Sequence, residues 1–441
     1  MYSRDTDSHK SNSFASLRTF RSLKSRNYRL FFTGQGISLI GTWMQSIALN
    51  WLLFRLTGSP FMLGISTFAG QIPVFLLAPV SGVIGDRFNR RKILLAVQCA
   101  SMVQASVLAV ITLTGIVQPW HLIFLTFLLG VINAFELPIR QALVFDLLDD
   151  KEDLPNAIAL NSSLFNGSRL IGPAVAGAIV AMAGEGICFL INAVSYIASI
   201  SAFVLMKIKV SERIKTGRRV FADMKEGFRY AAESTPVKEL LILIALISFF
   251  ALTFPVLLPV FASQVLHGDS HMFGFLVSSA GAGAFIATLY LASRNSIKGL
   301  GRIVNIALYT LSCGFIVFSF STIPYLSMAA LFFVGFTSIV IIASCNTILQ
   351  TVVDESKRGR VMSLYVMAFT GTAPAGGLIV GSVSEIAGAP LTVGICGVCC
   401  FMISMLFSFM LPRVMKSAHP LLTDIIPPTG TDCSGITGLA D

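Results

Sequence analysis

Charged residues are scarce in this chain. Only 12% of its 441 residues are Asp, Glu, Lys or Arg, and 54% are hydrophobic, whereas about 25% of the residues in a soluble domain are charged. The mean hydropathy is correspondingly high, at +0.78. A chain of this composition would precipitate in water, so its solvent must be lipid. The composition therefore excludes an ordinary soluble globular protein.

Motifs for nucleotide and metal chemistry are absent from the sequence. It contains no Gly-x-x-x-x-Gly-Lys-Ser/Thr loop for nucleotide phosphates and no His-Glu-x-x-His pair for zinc. Seven of the eight cysteines lie inside apolar runs. Cys396 and Cys399 form a CxxC with Cys400 adjacent, but the run offers neither the solvent access nor the supporting ligands of a metal or redox site, which favours packing. We therefore expect no metal, no cofactor and no enzymatic activity. A membrane enzyme or a non-transporting sensor is the remote alternative.

Long apolar runs dominate the chain. A helix needs about 20 apolar residues to cross the hydrocarbon of a bilayer, and twelve runs reach this length. Because backbone polar groups must be paired inside lipid, these runs are predicted to be helices. They lie at roughly 29–55, 60–84, 92–115, 119–145, 157–183, 186–206, 239–262, 272–293, 300–320, 323–349, 361–386 and 390–411.

The basic residues indicate the orientation in the membrane. All but Arg55, Arg140 and Arg169 of the 32 Lys and Arg residues lie in the two tails or in the loops on the side of the tails. By the positive-inside rule both termini are predicted to be cytoplasmic. The net charge of +10 therefore reflects topology, and we expect no nucleic-acid partner. The first 29 residues have neither the apolar core nor the small-residue cleavage site of a signal peptide.

The longest loop divides the runs into six and six. Phe221, Met224 and Phe228 recur there among basic residues, a pattern typical of a short amphipathic helix on the membrane surface. Both tails are polar and lack apolar periodicity, so they are predicted to be disordered. The predicted units are a basic tail (1–20), a first six-helix bundle (21–206), a linker (207–238), a second six-helix bundle (239–412) and a second tail (413–441).

The two halves of the sequence resemble each other at a nearly fixed offset. Gly130 and Gly335, like Gly172 and Gly377, are 205 residues apart, and the segment 59–64 corresponds to 269–274. Gly184 and Gly388 are 204 residues apart. Such symmetry is typical of a duplicated transporter whose substrate site lies between the halves. The predicted fold is an all-α membrane protein with twelve transmembrane helices in two pseudo-symmetric six-helix bundles.

The loop after the second run carries a recognisable motif. It reads Gly82-Val-Ile-Gly85-Asp86-Arg87-Phe-Asn-Arg90-Arg91, which resembles the major facilitator signature Gly-x-x-x-Asp-Arg-x-Gly-Arg-Arg/Lys between helices two and three. Asn89 replaces one glycine of that signature, and asparagine also tolerates a left-handed turn conformation.

Further segments narrow this resemblance to one bacterial branch. In order along the chain they are Gly41-Thr-Trp-Met-Gln45, Leu56-Thr-Gly-Ser-Pro60, Pro138-x-Arg-Gln-Ala142, Leu154-Pro-Asn-Ala157, Arg169-Leu-Ile-Gly-Pro173 and Arg358-Gly-Arg-Val-Met362. Together they resemble the transmembrane secretion effectors, the branch of the enterobactin exporter and the macrolide-efflux-like proteins. The resemblance implies a monomeric transporter in the bacterial inner membrane that exports a small molecule in exchange for protons.

The fifth run has an unusual set of small residues. Gly167, Gly172, Pro173 and Gly177 partly reproduce the antiporter signature that drug exporters carry in helix five. Small residues also allow close helix packing, and proline bends a helix. Both interpretations can hold at once.

The signature loop predicts a gate on the cytoplasmic side. The resemblance places Asp86 near the start of span eleven, at 360–364, where a helix N-terminus has unpaired amides and a partial positive charge. Arg90 or Arg91 is expected to pair with an acid at the end of span four, with Asp146 as the candidate. These contacts are expected to join the two halves and to hold the cytoplasmic side shut in the outward-open state.

Three ionisable residues lie deep within the spans. Glu136 and Arg140 are four residues apart and so share one face of span four. At 1.5 Å per residue Arg169 lies about 18 Å and Glu136 about 14 Å from the cytoplasmic ends, close enough in depth for a contact. One hypothesis makes Glu136 a proton carrier controlled by the arginines. The other makes the three residues a structural salt bridge.

Polar side chains within the spans are candidates for the substrate cavity. They suit export of an amphipathic molecule such as a siderophore or drug, and equally import of a small nutrient, which is the alternative function. The candidates are Gln35, Gln45, Asn50, Asn133, Asn166 and Asn346.

Overall fold

The computed structural model describes residues 21–148, 150–207, 220–294 and 299–423. Within these ranges the chain folds into long helices and contains no strand. Consecutive spans run in opposite directions. We call the face at which α1 begins the terminal face, and the opposite one the far face. The helices are α1 (Arg26–Thr57), α2 (Pro60–Arg87), α3 (Arg90–Leu113), α4 (Pro119–Val144), α5 (Leu154–Ala183), α6 (Glu185–Leu205), α7 (Val220–Glu233), α8 (Thr235–Phe250), α9 (Ser270–Ala292), α10 (Leu300–Phe320), α11 (Pro324–Val352), α12 (Glu355–Ala387) and α13 (Ala389–Thr423).

Twelve helical segments in the described ranges are long and apolar enough to cross a membrane, which confirms the predicted all-α fold with twelve spans. Their starts follow ordinary capping rules. Proline occupies the first helical position of α2, α4 and α11, where its missing N–H costs nothing. The side chains of Ser59, Asn89 and Asp269 cap α2, α3 and α9 by accepting hydrogen bonds from backbone N–H groups.

The seventh span is less regular than predicted. The span predicted at 239–262 is confirmed as Thr235–Val265, but its regular α-helix ends at Phe250. The span continues through short helical turns and ends in a π-turn at Phe261–Val265. Pro255 and Pro259 lie in this segment, and proline lacks the N–H that an α-helix needs.

The two ends of the chain and the linker differ in how far the structure describes them. The last helix continues to Thr423, so the prediction of disorder over 413–441 is wrong for 413–423, since lengthening an existing helix orders one residue at a time. Residues 1–20, 208–219 and 424–441 lie outside the described residues.

Helix α7 occupies the linker where the sequence predicts a short helix. Arg360 Nη1 of α12 donates a 2.7 Å hydrogen bond to Glu226 of α7, and Lys357 Nζ lies 4.5 Å from the ring centroid of Tyr230.

The internal repeat of the sequence is also a repeat of structure. Gly184 links α5 to α6 with φ 82° and ψ 169°, and Gly388 links α12 to α13 with φ 83° and ψ 155°. Glycine suits both turns because a positive φ strains other residues. The repeat extends to the packing, since Gly130 of α4 lies against the backbone of Gly70 in α2, and Gly335 of α11 lies against that of Ala280 in α9.

The two bundles meet along two symmetry-related helix crossings. Helices α1–α6 form the first bundle and α8–α13 the second; α5 crosses α9, and α2 crosses α12. A Cβ built on Gly274 of α9 would lie 2.6 Å from the carbonyl oxygen of Pro173 and 3.1 Å from Cα of Gly177. In the other crossing, a Cβ on Gly381 of α12 would lie 3.0 Å from Cα of Gly64. Glycine is required at these positions because the backbones approach too closely for a side chain.

Candidate functional site

The far face closes the space between the bundles. Ser59 Oγ donates a 2.8 Å hydrogen bond to Oε2 of Glu385, and the backbone N–H of Phe61 donates a 3.1 Å bond to the same oxygen. In the other crossing, Ser270 Oγ donates to the carbonyl oxygen of Gly177 at 3.2 Å. A further hydrogen bond between the bundles, from Asn166 Nδ2 to Thr288 Oγ1 at 3.2 Å, lies deeper.

One face of α5 changes from buried to exposed along its length. At about 100° per residue, Ile158, Phe165, Arg169 and Ala176 lie on one stripe of this helix. Ala176, towards the far face, is 0% exposed, whereas Phe165 is 39% and Ile158, near the terminal face, is 50% exposed. Arg169 between them is half-buried. The gradient describes a cavity that opens at the terminal face and ends near Arg169.

The guanidinium of Arg169 lies beside aromatic rings. Its Cζ is 5.8 Å from the centroid of the Trp43 ring, and the Trp43 ring meets that of Phe165 edge-on at 5.9 Å. The contact expected between Arg169 and Glu136 is not formed: neither the salt bridges nor the hydrogen bonds among the described residues join them. The predicted contact rested on the similar depths of the two residues in the membrane. Depth alone does not determine the direction in which each side chain points around its helix.

Glu136 belongs to the interior of the first bundle. Its Oε1 lies 3.0 Å from Arg140 Nη1 and accepts a 3.4 Å hydrogen bond from Gln35 Nε2. Ser199 of α6 donates to Oε1 of Gln35 at 3.5 Å. Glu136 and Arg140 are both buried. The charged pair is therefore held among α1, α4 and α6, away from the cavity stripe of α5.

Gln45 is also part of the first bundle's interior. Asn192 Nδ2 donates to its Oε1 at 2.7 Å, and its Nε2 donates to Oε1 of Gln104 at 3.0 Å. Gln104 in turn donates to the carbonyl oxygen of Leu125 at 3.2 Å. Both Gln45 and Gln35 are at most 2% exposed, so their prediction as cavity residues is wrong. Buried amides must be hydrogen-bonded, and the additional amides in spans three and six were the signal that such partners exist.

The other amide candidates lie in several environments. Asn50 and Asn133 are half-buried and form no hydrogen bond with other described side chains. Asn346 is half-buried and accepts a 2.9 Å bond from Gln350 Nε2. Asn166 is buried in the α5–α9 crossing. Asn50, Asn133 and Asn346 are thus exposed enough to line a cavity. The sequence analysis did not select Trp43 and Phe165 as cavity residues, because aromatic residues in spans usually face lipid or core.

The arginines of the signature loop hold the first bundle together. Arg90 Nη1 lies 3.1 Å from Oδ2 of Asp146, the acid expected to pair with it, and donates to the carbonyl oxygen of Ala142 at 2.8 Å. Arg91 donates from Nε to the carbonyl oxygen of Phe203 at 2.6 Å and from Nη2 to that of Val204. All these partners belong to α4 or α6, or lie just beyond α4. In this structure, which is open at the terminal face, these contacts lie within the first bundle; their expected role in the state with a closed cytoplasmic side stays a prediction.

The remaining residues of the signature lie at the end of α2. A Cβ on Gly85 would lie 3.0 Å from Cγ1 of Ile139, whereas Gly82 has open space around it. Arg87 is exposed. The side chain of Asp86, and hence its expected contact with 360–364, lies outside the described part of the structure.

The helix-five motif packs α5 against two neighbours. A Cβ on Gly172 would lie 2.6 Å from Cβ of Trp43, and one on Gly177 would lie 2.7 Å from the carbonyl oxygen of Ser270. Pro173 contacts Gly274, as described above. Gly167 has no atom within 4 Å of such a Cβ. Three of the four residues therefore serve close packing, and the antiporter hypothesis stays a prediction.

A sequence profile of the transmembrane secretion effectors matches residues 17–427. The Staphyloferrin A transporter of Staphylococcus aureus is 28% identical over 397 residues, which cover 86% of this chain and 95% of that protein. Macrolide efflux protein A of Streptococcus pyogenes is 25% identical over 274 residues, 61% of this chain and 67% of that protein.

Solved structures of transporters share the fold. An inward-facing, occupied bacterial homologue of the human lysosomal transporter Spinster has a TM-score of 0.70 at 11% identity and covers 89% of this chain and 98% of its own. The nucleoside transporter NupG has a TM-score of 0.64 at 14% identity, with 87% of this chain and 99% of its own covered.

Proposed function

Because the chain belongs to the transmembrane secretion effector family of major facilitator transporters, we propose that it is a proton-coupled exporter of a small amphipathic molecule. The twelve spans and the relatives make it a multi-pass bacterial membrane protein. In this proposal it lies in the cytoplasmic membrane and works as a monomer. It carries a siderophore-like or drug-like substrate outward by alternating access.

The observation that carries this proposal is the exposure gradient along α5. The cavity between the bundles is open at the terminal face and closed at the far face by the two glycine crossings. With the basic loops in the cytoplasm, an exporter takes up its substrate in this state and an importer releases it there, so the gradient supports alternating access and the export direction rests on the relatives. The names of the Staphyloferrin A transporter and the macrolide efflux protein support a substrate of the siderophore or drug class.

The proposed coupling residue is Glu136. It is a carboxylate held deep in the first bundle, and charged residues at such a depth usually belong to a transport or proton pathway. Its partner Arg140 would favour its ionised form, so a change in that contact between the two states would load and release a proton. A structural salt bridge that orders the bundle is the competing interpretation of the same contact.

The direction of transport can be tested in membrane vesicles. Everted vesicles expose the cytoplasmic side and, when energised, acidify their interior. We expect them to accumulate a radiolabelled macrolide or radiolabelled staphyloferrin A, and to lose it when a protonophore is added. Accumulation in right-side-out vesicles alone would instead identify an importer. Accumulation that ignores the protonophore would contradict proton coupling.

A further inference from the structure

We propose that the substrate carries an anionic group, such as a carboxylate, that binds Arg169 while its apolar body lies against Trp43 and Phe165. This inference rests on the proposed function, because it assigns a ligand to the cavity through which the substrate is exported. It narrows the proposed substrate to an amphipathic organic anion and so favours an acidic siderophore-like molecule over a basic macrolide.

Arg169 is placed where a substrate would be held. It lies near the middle of α5, which runs from Leu154 to Ala183. Its side chain points away from the lipid, because the exposed residues Ile171 and Val175 lie about 120° or more around the helix from it. The cavity also ends at the depth of Arg169, because the stripe of α5 is buried on the far-face side of this residue. Transporters of this type bind their substrate near mid-membrane between the two halves.

In the described part of the chain, Arg169 lacks the carboxylate partner that Arg140 and Arg55, the two other arginines outside the terminal-face loops, both have. Arg140 pairs with Glu136 at 3.0 Å, and Arg55 pairs with Glu185 at 3.0 Å. Among the described residues, the guanidinium of Arg169 forms no salt bridge and no hydrogen bond, and it lies beside the Trp43 ring. A charge at this depth ordinarily has a partner. A guanidinium has five N–H donors, so the group keeps its capacity to bind an anion.

The surroundings of Arg169 define the class of ligand. A guanidinium presents a planar fork that matches the two oxygens of a carboxylate. The rings of Trp43 and Phe165 border it, and Phe165 is 39% exposed on the cavity side. The Phe165 ring offers an apolar surface one helical turn from Arg169 towards the terminal face. The combination suits a molecule with an anionic end that enters first and a planar or apolar body that follows.

The test compares two ligands of nearly equal shape. Radiolabelled 2-naphthoate is anionic, and 2-naphthamide is its neutral counterpart. We expect purified wild-type protein to bind 2-naphthoate saturably and at least tenfold more tightly than 2-naphthamide, measured by competition. Arg169→Gln should weaken 2-naphthoate binding at least tenfold and abolish the preference for the anion. Arg169→Lys keeps the charge but loses the fork, so it should retain the preference with reduced affinity.

Two controls separate binding from folding and from net charge. Arg302→Gln removes one positive charge from an exposed position on α10 and should leave both affinities unchanged. Trp43→Leu keeps Arg169 but removes the ring, so it should weaken both ligands by a similar factor. Size-exclusion chromatography reports whether each variant is folded. If Arg169→Gln does not fold, the Arg169→Lys and Trp43→Leu results decide the question.

Several outcomes would overturn the proposal. They are a wild-type protein that does not bind 2-naphthoate, equal affinity for the acid and the amide, and an Arg169→Gln protein that keeps the wild-type preference. The vesicle experiment separates this failure from failure of the proposed function. If uphill export persists but binding shows no Arg169-dependent preference for the anion, the exporter assignment stands and the proposed anion site is wrong. If binding shows an Arg169-dependent preference for the anion but uphill export is absent, the anion site stands and the exporter assignment is wrong.

Discussion

Glu385 at the end of α12 accepts a 2.8 Å hydrogen bond from the Oγ hydroxyl of Ser59 at the start of α2. The two residues belong to different bundles, so this bond connects the halves of the molecule across the far face. The same carboxylate oxygen accepts the backbone N–H of Phe61. The first N–H groups of a helix have no partner within the helix and attract negative charge. A carboxylate of one bundle thus caps a helix of the other.

Removing this charge should loosen the far face. Glu385→Gln keeps the shape of the side chain but weakens a charge-assisted hydrogen bond. Because Glu385 is exposed, we expect a shift of about 1 kcal/mol, or roughly fivefold, towards the state open at the far face. Labelling of single cysteines on the far side of the cavity by a membrane-impermeant thiol reagent, in a background without other reactive cysteines, measures this shift.

Glu185→Gln is the matched control for that variant. Glu185 follows Gly184, the structural counterpart of Gly388, but its carboxylate pairs with Arg55 inside the first bundle. Its neutralisation should leave the accessibility of the far face unchanged. Equal labelling of the Glu385 variant and wild type would contradict the role assigned to this contact.

Side chains added at the glycine crossings should destabilise the protein. Gly177→Val would bring its Cβ to 2.7 Å from the carbonyl oxygen of Ser270, so α5 and α9 must separate. Overpacking of this kind costs about 1–3 kcal/mol, and we expect a lower melting temperature in detergent and a far face that closes poorly. Gly167→Val lies in the same helix but has no atom within 4 Å of its Cβ. A fall in melting temperature as large for Gly167→Val as for Gly177→Val would argue against the packing interpretation.

Glu136→Gln tests proton coupling. If Glu136 carries the proton, the variant should lose uphill transport driven by a pH gradient but should keep substrate binding and downhill exchange, because neither step moves a proton. Transport into everted vesicles with and without the gradient measures the difference. Unimpaired uphill transport would exclude Glu136 as the carrier. Loss of folded protein would support the structural salt bridge instead.

The buried and the half-buried amides should respond differently to truncation. Gln45→Ala removes the hydrogen bonds that Oε1 of Gln104 and Nδ2 of Asn192 form with Gln45, and leaving these two buried atoms unpaired costs about 1–3 kcal/mol. We expect a lower melting temperature and little change in the KM for transport. Asn133→Ala breaks no bond among the described side chains, so it should change KM with little effect on melting. Measuring both quantities for both variants checks the assignment, and the reverse pattern would show that Gln45 faces the substrate.

The orientation in the membrane can be tested with a reporter enzyme that is active only in the periplasm. Fused after the last residue, it should be inactive, because the basic loops predict cytoplasmic termini. Fused at Gly115, in the turn between α3 and α4, it should be active. Activity of the first fusion and inactivity of the second would reverse the topology and, with it, the assignment of the cavity to the cytoplasm.

The sequence by itself determined the features that depend on local composition. Runs of about 20 apolar residues form spans in any lipid environment, so all twelve could be counted. The repeated glycines, such as Gly184 and Gly388, revealed the duplication because a tight turn and a close crossing restrict the residue type wherever they occur. The pairing of Arg90 with Asp146 was also accessible, because loop-end residues of neighbouring spans meet at the same face.

Only the tertiary structure decided which polar residues face the cavity. When a span has little amphipathicity, its own sequence pattern does not show which way its polar side chains point. Their direction then depends on the hydrogen-bond partners that neighbouring helices provide. Gln45 turns inward because Gln104 and Asn192, far away in the chain, meet it there. Glu136 and Arg169 lie at similar depths, but they point into different spaces, because direction around a helix depends on which neighbours pack beside it. The bonding of Glu136 inside the bundle and the exposure of Arg169 to the cavity are therefore properties of the packed helices and not of the sequence pattern.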